Sequence, residues 1–125
     1  MTTNTEFTVT GGRAFTGTIE VPGDKSISHR ALMLSALAEG TSTITGLSGG
    51  DDVAHTARAM AALGAEVVPG VPTVTVHGGR SRLAVPTGPL DLGNSGTGLR
   101  LIAGVAATLS GRGYRATSTP VGPIP

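Results

Sequence analysis

Cysteine is absent from the 125-residue chain, which excludes disulfides, thiolate nucleophiles and cysteine-bound zinc. Aromatic residues make up only 2%, so a core has to be built from Ala, Val, Leu and Ile. A net charge of +1 leaves no broad cationic face for nucleic acid or an anionic membrane, and any cationic function has to sit in local clusters. No apolar run approaches the roughly 18 residues that span a bilayer, and no basic-then-apolar signal segment opens the sequence; the expected compartment is the cytoplasm. Glycine is plentiful at 20 residues, which implies many tight turns and, with an aliphatic core, an α/β domain of modest size.

Hydrophobic spacing divides the chain into short elements. Alternation over Glu6–Thr10 and Phe15–Val21, around Gly11 and Gly12, predicts a hairpin or two successive strands. Ile27–Glu39 reads as an amphipathic helix with Ile27, Ala31, Leu34 and Ala38 on its buried stripe, Leu37 beside them and Gly40 as the stop. Thr41–Leu47 reads as a strand. The loop Ser48-Gly49-Gly50 then leads to a helix reaching Leu63, with Asp51 or Asp52 as its cap and Val53, Ala57, Met60 and Leu63 on its buried stripe. Ala65–Val68 and Thr73–His77 are strands expected to pair across the turn Pro69-Gly70-Val71-Pro72. Gly78–Pro89 is a connector whose Arg80 and Arg82 are expected to be solvated. Leu90–Leu92 is a brief strand, followed by the turn Gly93–Gly98 and a helix from Thr97 or Gly98 that carries Leu99, Ile102, Ala103, Ala106 and Leu109. Tyr114–Thr117 completes the strands, and the proline-bearing tail from Thr119 to Pro125 is expected to be irregular. This order describes a repeated β-α-β-α-β-β unit.

The chemistry concentrates at two helix starts. In Val21-Pro22-Gly23-Asp24-Lys25-Ser26-Ile27-Ser28-His29-Arg30, Lys25 and Ser26 fall in a first helical turn, where open backbone N–H groups and partial positive charge favour phosphate or carboxylate. Ser26 and Arg30 are four residues apart and share a face, and Lys25 and His29 repeat that spacing one position round. An ammonium, a hydroxyl and a guanidinium can thus meet one ligand, although the same residues also describe a capped helix and no more. Gly93-Asn94-Ser95-Gly96-Thr97-Gly98 repeats the design, with Arg100 near the helix start. Neither turn is a nucleotide fingerprint: the first lacks the earlier glycine of a Walker A loop, and the second has its glycines in another order. Asp51 and Asp52 read as a cap and a dipole partner. His29, His55 and His77 are dispersed without metal-ligand spacing, His55 being placed away from the buried stripe of its helix, and His29 stands out only through its neighbour Lys25.

Val21-Pro22-Gly23-Asp24-Lys25-Ser26-Ile27-Ser28-His29-Arg30-Ala31 closely resembles the amino-terminal signature of the 5-enolpyruvylshikimate-3-phosphate synthase family. Leu92-Gly93-Asn94-Ser95-Gly96-Thr97-Gly98-Leu99-Arg100 is similar to that family's Leu-Gly-Asn-Ala-Gly-Thr turn with its downstream arginine, and Gly50-Asp51-Asp52-Val53 through Leu63-Gly64-Ala65 fits the segment between. The resemblance covers residues 8–117. It implies an α/β fold of repeated β-α-β-α-β-β units, the enolpyruvyl transferase fold, here incomplete. Residues 1–20 would be strands belonging to the other domain, 21–117 a partial substrate-binding domain and 118–125 an irregular tail.

The activity so implied transfers the enolpyruvyl group of phosphoenolpyruvate to the 5-hydroxyl of shikimate 3-phosphate and releases phosphate, a step toward chorismate and the aromatic amino acids, with no metal or organic cofactor. By the same resemblance Lys25 would contact both substrates, Ser26 and Arg30 would hold shikimate 3-phosphate, and Gly96 would approach phosphoenolpyruvate through its backbone. Asn94, Thr97 and Arg100 would shape the same pocket. The family's acid and base groups, an aspartate, a glutamate and a lysine, resemble nothing in this chain and belong to the later part of a longer one; the implied partner is that remainder. Thr119-Pro120-Val121 stands where the family has an Arg-Pro-Met run whose arginine binds phosphoenolpyruvate. Two other readings stay open: a non-catalytic anion-binding module, and the sibling enolpyruvyl transferase of a UDP-linked amino sugar, which has Gly-Ala-Lys-Asn in place of Gly-Asp-Lys-Ser and often uses a cysteine.

Overall fold

The computed structural model describes residues 5–109 and the backbone of 116–117. The expected tail at 118–125 and the first half of the strand at Tyr114–Thr117 lie outside the described residues. Among the described residues three helices and five strands follow in the order α1 (Lys25–Leu37), β1 (Gly40–Thr45), α2 (Asp51–Ala62), β2 (Glu66–Val68), β3 (Thr73–Gly78), β4 (Leu90–Asp91), α3 (Gly96–Ala106) and β5 (Ala116–Thr117). The α/β reading of the sequence holds, and the order matches the β-α-β-α-β-β unit from its first helix onward.

The threonine- and valine-rich strands form an antiparallel sheet in the order β1-β3-β2. Gly40 pairs with Gly78 and Thr45 with Thr73 in one ladder, while Glu66 pairs with His77 and Val68 with Thr75 in the other. The expected hairpin of β2 and β3 is therefore present. A separate parallel pair joins β4 to β5, Leu90 opposite Ala116. The core lies where the helices meet each other and the sheet, and is built from Leu32, Met33 and Ala36 of α1, Val53, Ala59 and Met60 of α2, Val76 of β3, Leu90 of β4, and Ile102 and Val105 of α3, together with Leu63 and Leu92. Burying each of the larger side chains contributes about 1.5–3 kcal/mol. The α2 stripe falls as its spacing predicts, with Val53, Met60 and Leu63 buried and Ala57 half-buried.

Three expectations are corrected. The buried face of α1 is not Ile27, Ala31, Leu34 and Ala38: Ile27 is 69% exposed and Leu34 64% exposed, and Ser28, His29, Leu32, Met33 and Ala36 face inward instead. Two of those five are polar, so counting apolar residues alone turns the helix about its axis by roughly one residue's 100°. Second, Glu6–Thr10 and Phe15–Val21 are exposed but form no strand among the described residues. Alternation supplies a strand's side chains; the ladder needs a partner edge, and here none is paired with them. Third, α2 is capped by Gly50, whose side chain is absent, and Asp51 and Asp52 occupy its first turn, where carboxylates complement the helix dipole.

Candidate anion site at converging helix starts

Asp24 makes the first corner. It adopts an extended conformation as the N-cap of α1, and its Oδ1 accepts the Ile27 N–H at 2.8 Å. That bond satisfies one orphan donor of the helix and leaves the N–H groups of Lys25 and Ser26 at the open end. The Ser28 hydroxyl donates to the Asp24 carbonyl at 2.7 Å and accepts the Ser48 N–H at 2.9 Å, which pins the start of α1 to the loop after β1. Lys25, Ser26 and Arg30 are all exposed beyond this pin. Arg30 Nη1 donates to the Ser26 carbonyl at 2.9 Å, so the shared face expected from their spacing is realised. Lys25 Nζ pairs with Asp52 Oδ2 at 3.3 Å, which brings the start of α2 against the start of α1.

The second corner is built in the same way from different residues. Asp91 Oδ1 accepts the Gly93 N–H at 2.8 Å and closes the turn that leaves β4. Ser95 then caps α3, its Oγ accepting the Gly98 N–H at 2.9 Å, so that the open N–H groups are those of Gly96 and Thr97. The helix begins one or two residues earlier than its apolar spacing indicates, because Ser95 is the cap. Asn94, Gly96 and Arg100 are exposed and Thr97 half-exposed. A Cβ on Gly96 would lie 3.7 Å from Arg100 Nη1, which puts the guanidinium beside the helix start.

Helix α2 joins the two corners. Its first turn reaches α1 through Asp52, its His55 ring lies against Gly93, and its Thr56 bonds His29 of α1 at 2.7 Å. The side chain of His55 is half-buried, and its Nδ1 engages the Asp51 carbonyl at 2.8 Å. His29 is wholly buried, so it does not join Lys25 at the surface as their spacing suggests. Burial holds its pKa below the ordinary histidine value, with Lys25 and Arg30 acting in the same direction and Asp52 opposing them. Lys25 and Arg30 thus fall at the start of α1 and Arg100 at the start of α3, and α2 contacts both. Sequence reasoning missed Asp24 as the cap, Ser28 as the pin and Thr56 as the link. Asp24 carried a usable signal, being a capping residue type three positions before Ile27.

Residues 9–116 match the family model described as EPSP synthase (3-phosphoshikimate 1-carboxyvinyltransferase). The chain belongs to the EPSP synthase family. It is 53% identical over 108 residues to the 3-phosphoshikimate 1-carboxyvinyltransferase of Thermosynechococcus vestitus, a match covering 85% of this chain and 24% of that protein. It is 58% identical over 96 residues to the corresponding protein of Rhodopseudomonas palustris, covering 75% of this chain and 22% of the relative. Among solved structures, EPSP synthase from Acinetobacter baumannii superposes with a TM-score of 0.73 at 40% identity, over 86% of this chain and 25% of that one. The chain therefore spans about a quarter of the length of the relatives it matches, at their amino-terminal portion. The family is one of transferases, and the resemblance drawn from the two signature turns agrees with the match.

Proposed function

We propose that this chain supplies one wall of an EPSP synthase site, binding shikimate 3-phosphate and phosphoenolpyruvate for transfer of the enolpyruvyl group to the 5-hydroxyl and release of phosphate. The observation that carries this reading is the placement of Lys25, Ser26 and Arg30 at one open helix start and of Asn94, Gly96, Thr97 and Arg100 at another, both braced on α2. Two polyanions brought together repel, and cationic groups with open N–H donors offset that repulsion while fixing orientation. Arg30 suits planar, bidentate recognition of the phosphate of shikimate 3-phosphate, and Lys25 is a compact charge that serves both ligands. Gly96, with no side chain, lets phosphoenolpyruvate approach the backbone.

Proton transfer in this reading belongs to groups in the remainder of the enzyme, and the chain by itself binds without turning over. Exposed Phe7, Val9, Phe15, Ile19, Ile27 and Leu34 suit packing against that remainder, with residues 1–20 contributing to the other domain and 21–117 to the substrate-binding one. Among the described residues no helix is long and apolar enough to cross a membrane; a cytoplasmic location fits the biosynthetic role. Titration of the chain with shikimate 3-phosphate, followed by amide NMR alongside a phosphate-release assay, tests the reading. Saturable shifts at Lys25, Ser26 and Gly96–Gly98 without phosphate release are expected; no shift at either helix start removes it.

A further inference from the structure

Helices α1, α2 and α3 pack against one another, and a buried polar group sits at their junction, beneath the two corners. His29 of α1, Thr56 of α2 and Ser95 at the cap of α3 are all buried. His29 Nδ1 and Thr56 Oγ1 are 2.7 Å apart. The position a Cβ on Gly98 would take lies 3.3 Å from Thr56 Oγ1 and 2.8 Å from Ser95 Oγ, so the first turn of α3 rests flush on the threonine hydroxyl. A side chain at Gly98 would push the two apart.

The imidazole is imperfectly served. His29 Nε2 is buried with no hydrogen-bond partner among the described residues. If Nδ1–H donates to the threonine, Nε2 is an unmatched acceptor; if the threonine hydroxyl donates to Nδ1, Nε2–H is an unmatched donor. An apolar pair of similar shape would avoid that penalty. The polar pair therefore does not earn its place through stability. Its geometry supplies direction: a short hydrogen bond fixes the rotamer of Thr56, and that rotamer is the surface on which α3 starts.

We propose that Thr56, held in one orientation by His29, is a positioning residue that sets the α3 start carrying Gly96 and Arg100 relative to the α1 start carrying Lys25 and Arg30. Its consequence for ligands rests on the reading given under Proposed function. The pair itself touches no ligand.

The experiment has two arms on the 125-residue chain. In the ligand-free arm, residual dipolar couplings report the angle between α1 and α3. Thr56→Val, which keeps shape but loses the hydroxyl, is expected to change that angle, and Thr56→Ser to restore it. An angle unchanged in Thr56→Val overturns the proposal whatever the ligand arm shows. In the ligand arm, Thr56→Val is expected to weaken shikimate 3-phosphate on the order of ten- to a hundredfold, with recovery in Thr56→Ser. Parent chain that does not bind shikimate 3-phosphate sinks the functional reading and leaves the angle to decide the positioning. The double variant His29→Leu with Thr56→Val, in which no polar partner is stranded, guards against simple unfolding. It is expected to melt within a few degrees of the parent while keeping the altered angle; a parental angle there also overturns the proposal.

Discussion

Replacing Gly23 by alanine tests the account of how the first corner is seated. A Cβ at this position would fall inside contact distance of the Gly46 carbonyl oxygen, 2.8 Å from Ser48 N and 2.9 Å from the Leu47 carbonyl carbon. All three atoms are backbone, so no rotamer change relieves the clash, and the loop after β1 has to move away from the turn before α1. That loop is also held by the 2.9 Å bond from Ser48 N–H to Ser28 Oγ. Overpacking of this kind costs about 1–3 kcal/mol, and loss of the hydrogen bond adds about 1 kcal/mol. For a domain of this size each kcal/mol lowers Tm by roughly 4–8 °C, so Gly23→Ala should melt on the order of 10 °C or more below the parent. Circular dichroism melts at matched concentration read the effect. Gly11→Ala is the control, because nothing lies within 4 Å of its Cβ position, and it should leave Tm nearly unchanged. A Gly23→Ala melt that superposes on the control would refute the close approach of the two turns.

Three further outcomes follow from the same geometry. Asp24→Ala removes the cap on Ile27 N–H and should lower stability by about 0.5–2 kcal/mol, with Asp24→Asn near the parent; urea midpoints separate the two. Gly96→Ala meets nothing closer than 3.7 Å, so the fold should be unharmed or slightly stabilised, yet calorimetric affinity for phosphoenolpyruvate should fall; an unaltered affinity counts against the placement of that ligand. Burial, with Lys25 and Arg30 and against the pull of Asp52, lowers the pKa of His29 in the folded chain, whereas the unfolded chain takes up the proton near pH 6.5. Stability from this group is thus complete above about pH 6.5 and declines as pH falls below it, by at most about 1.4 kcal/mol per pH unit. Urea midpoints at several pH values should show a steeper acid decline for the parent than for His29→Asn, and parallel declines would refute it.

The positions of α2, β2, β3 and α3 could be read from apolar spacing and turn residues because each depends on neighbours close in sequence. The face of α1 could not. Its two buried polar residues have partners far along the chain, Thr56 at one ring nitrogen of His29 and the Ser48 N–H at Ser28, and a window of helical length contains neither partner. Residues 6–10 and 15–21 differ for a related reason: their alternation is real, but a ladder needs a partner edge, and among the described residues neither segment pairs with the other or with the sheet. For the candidate site, Lys25, Ser26 and Arg30 announced themselves by local spacing. Apolar spacing gave no link from that corner to Gly96 and Arg100, because α2, which contacts both helix starts, contributes through an aspartate, a histidine and a threonine with no distinctive pattern. The family signature located both turns, whereas the way they brace one another emerged only from the packing.

The ion pair between Lys25 and Asp52 bears on which anions the first corner will accept. A half-exposed pair adds little to stability, but it places a carboxylate beside the lysine. Any incoming anion competes with a seated monovalent carboxylate. A carboxylate or chloride has no advantage in that exchange, whereas a phosphate monoester, doubly charged above its second ionisation near pH 6, does. In the proposed site, the Asp52 carboxylate beside Lys25 would thus set a threshold that favours dianions over monoanions.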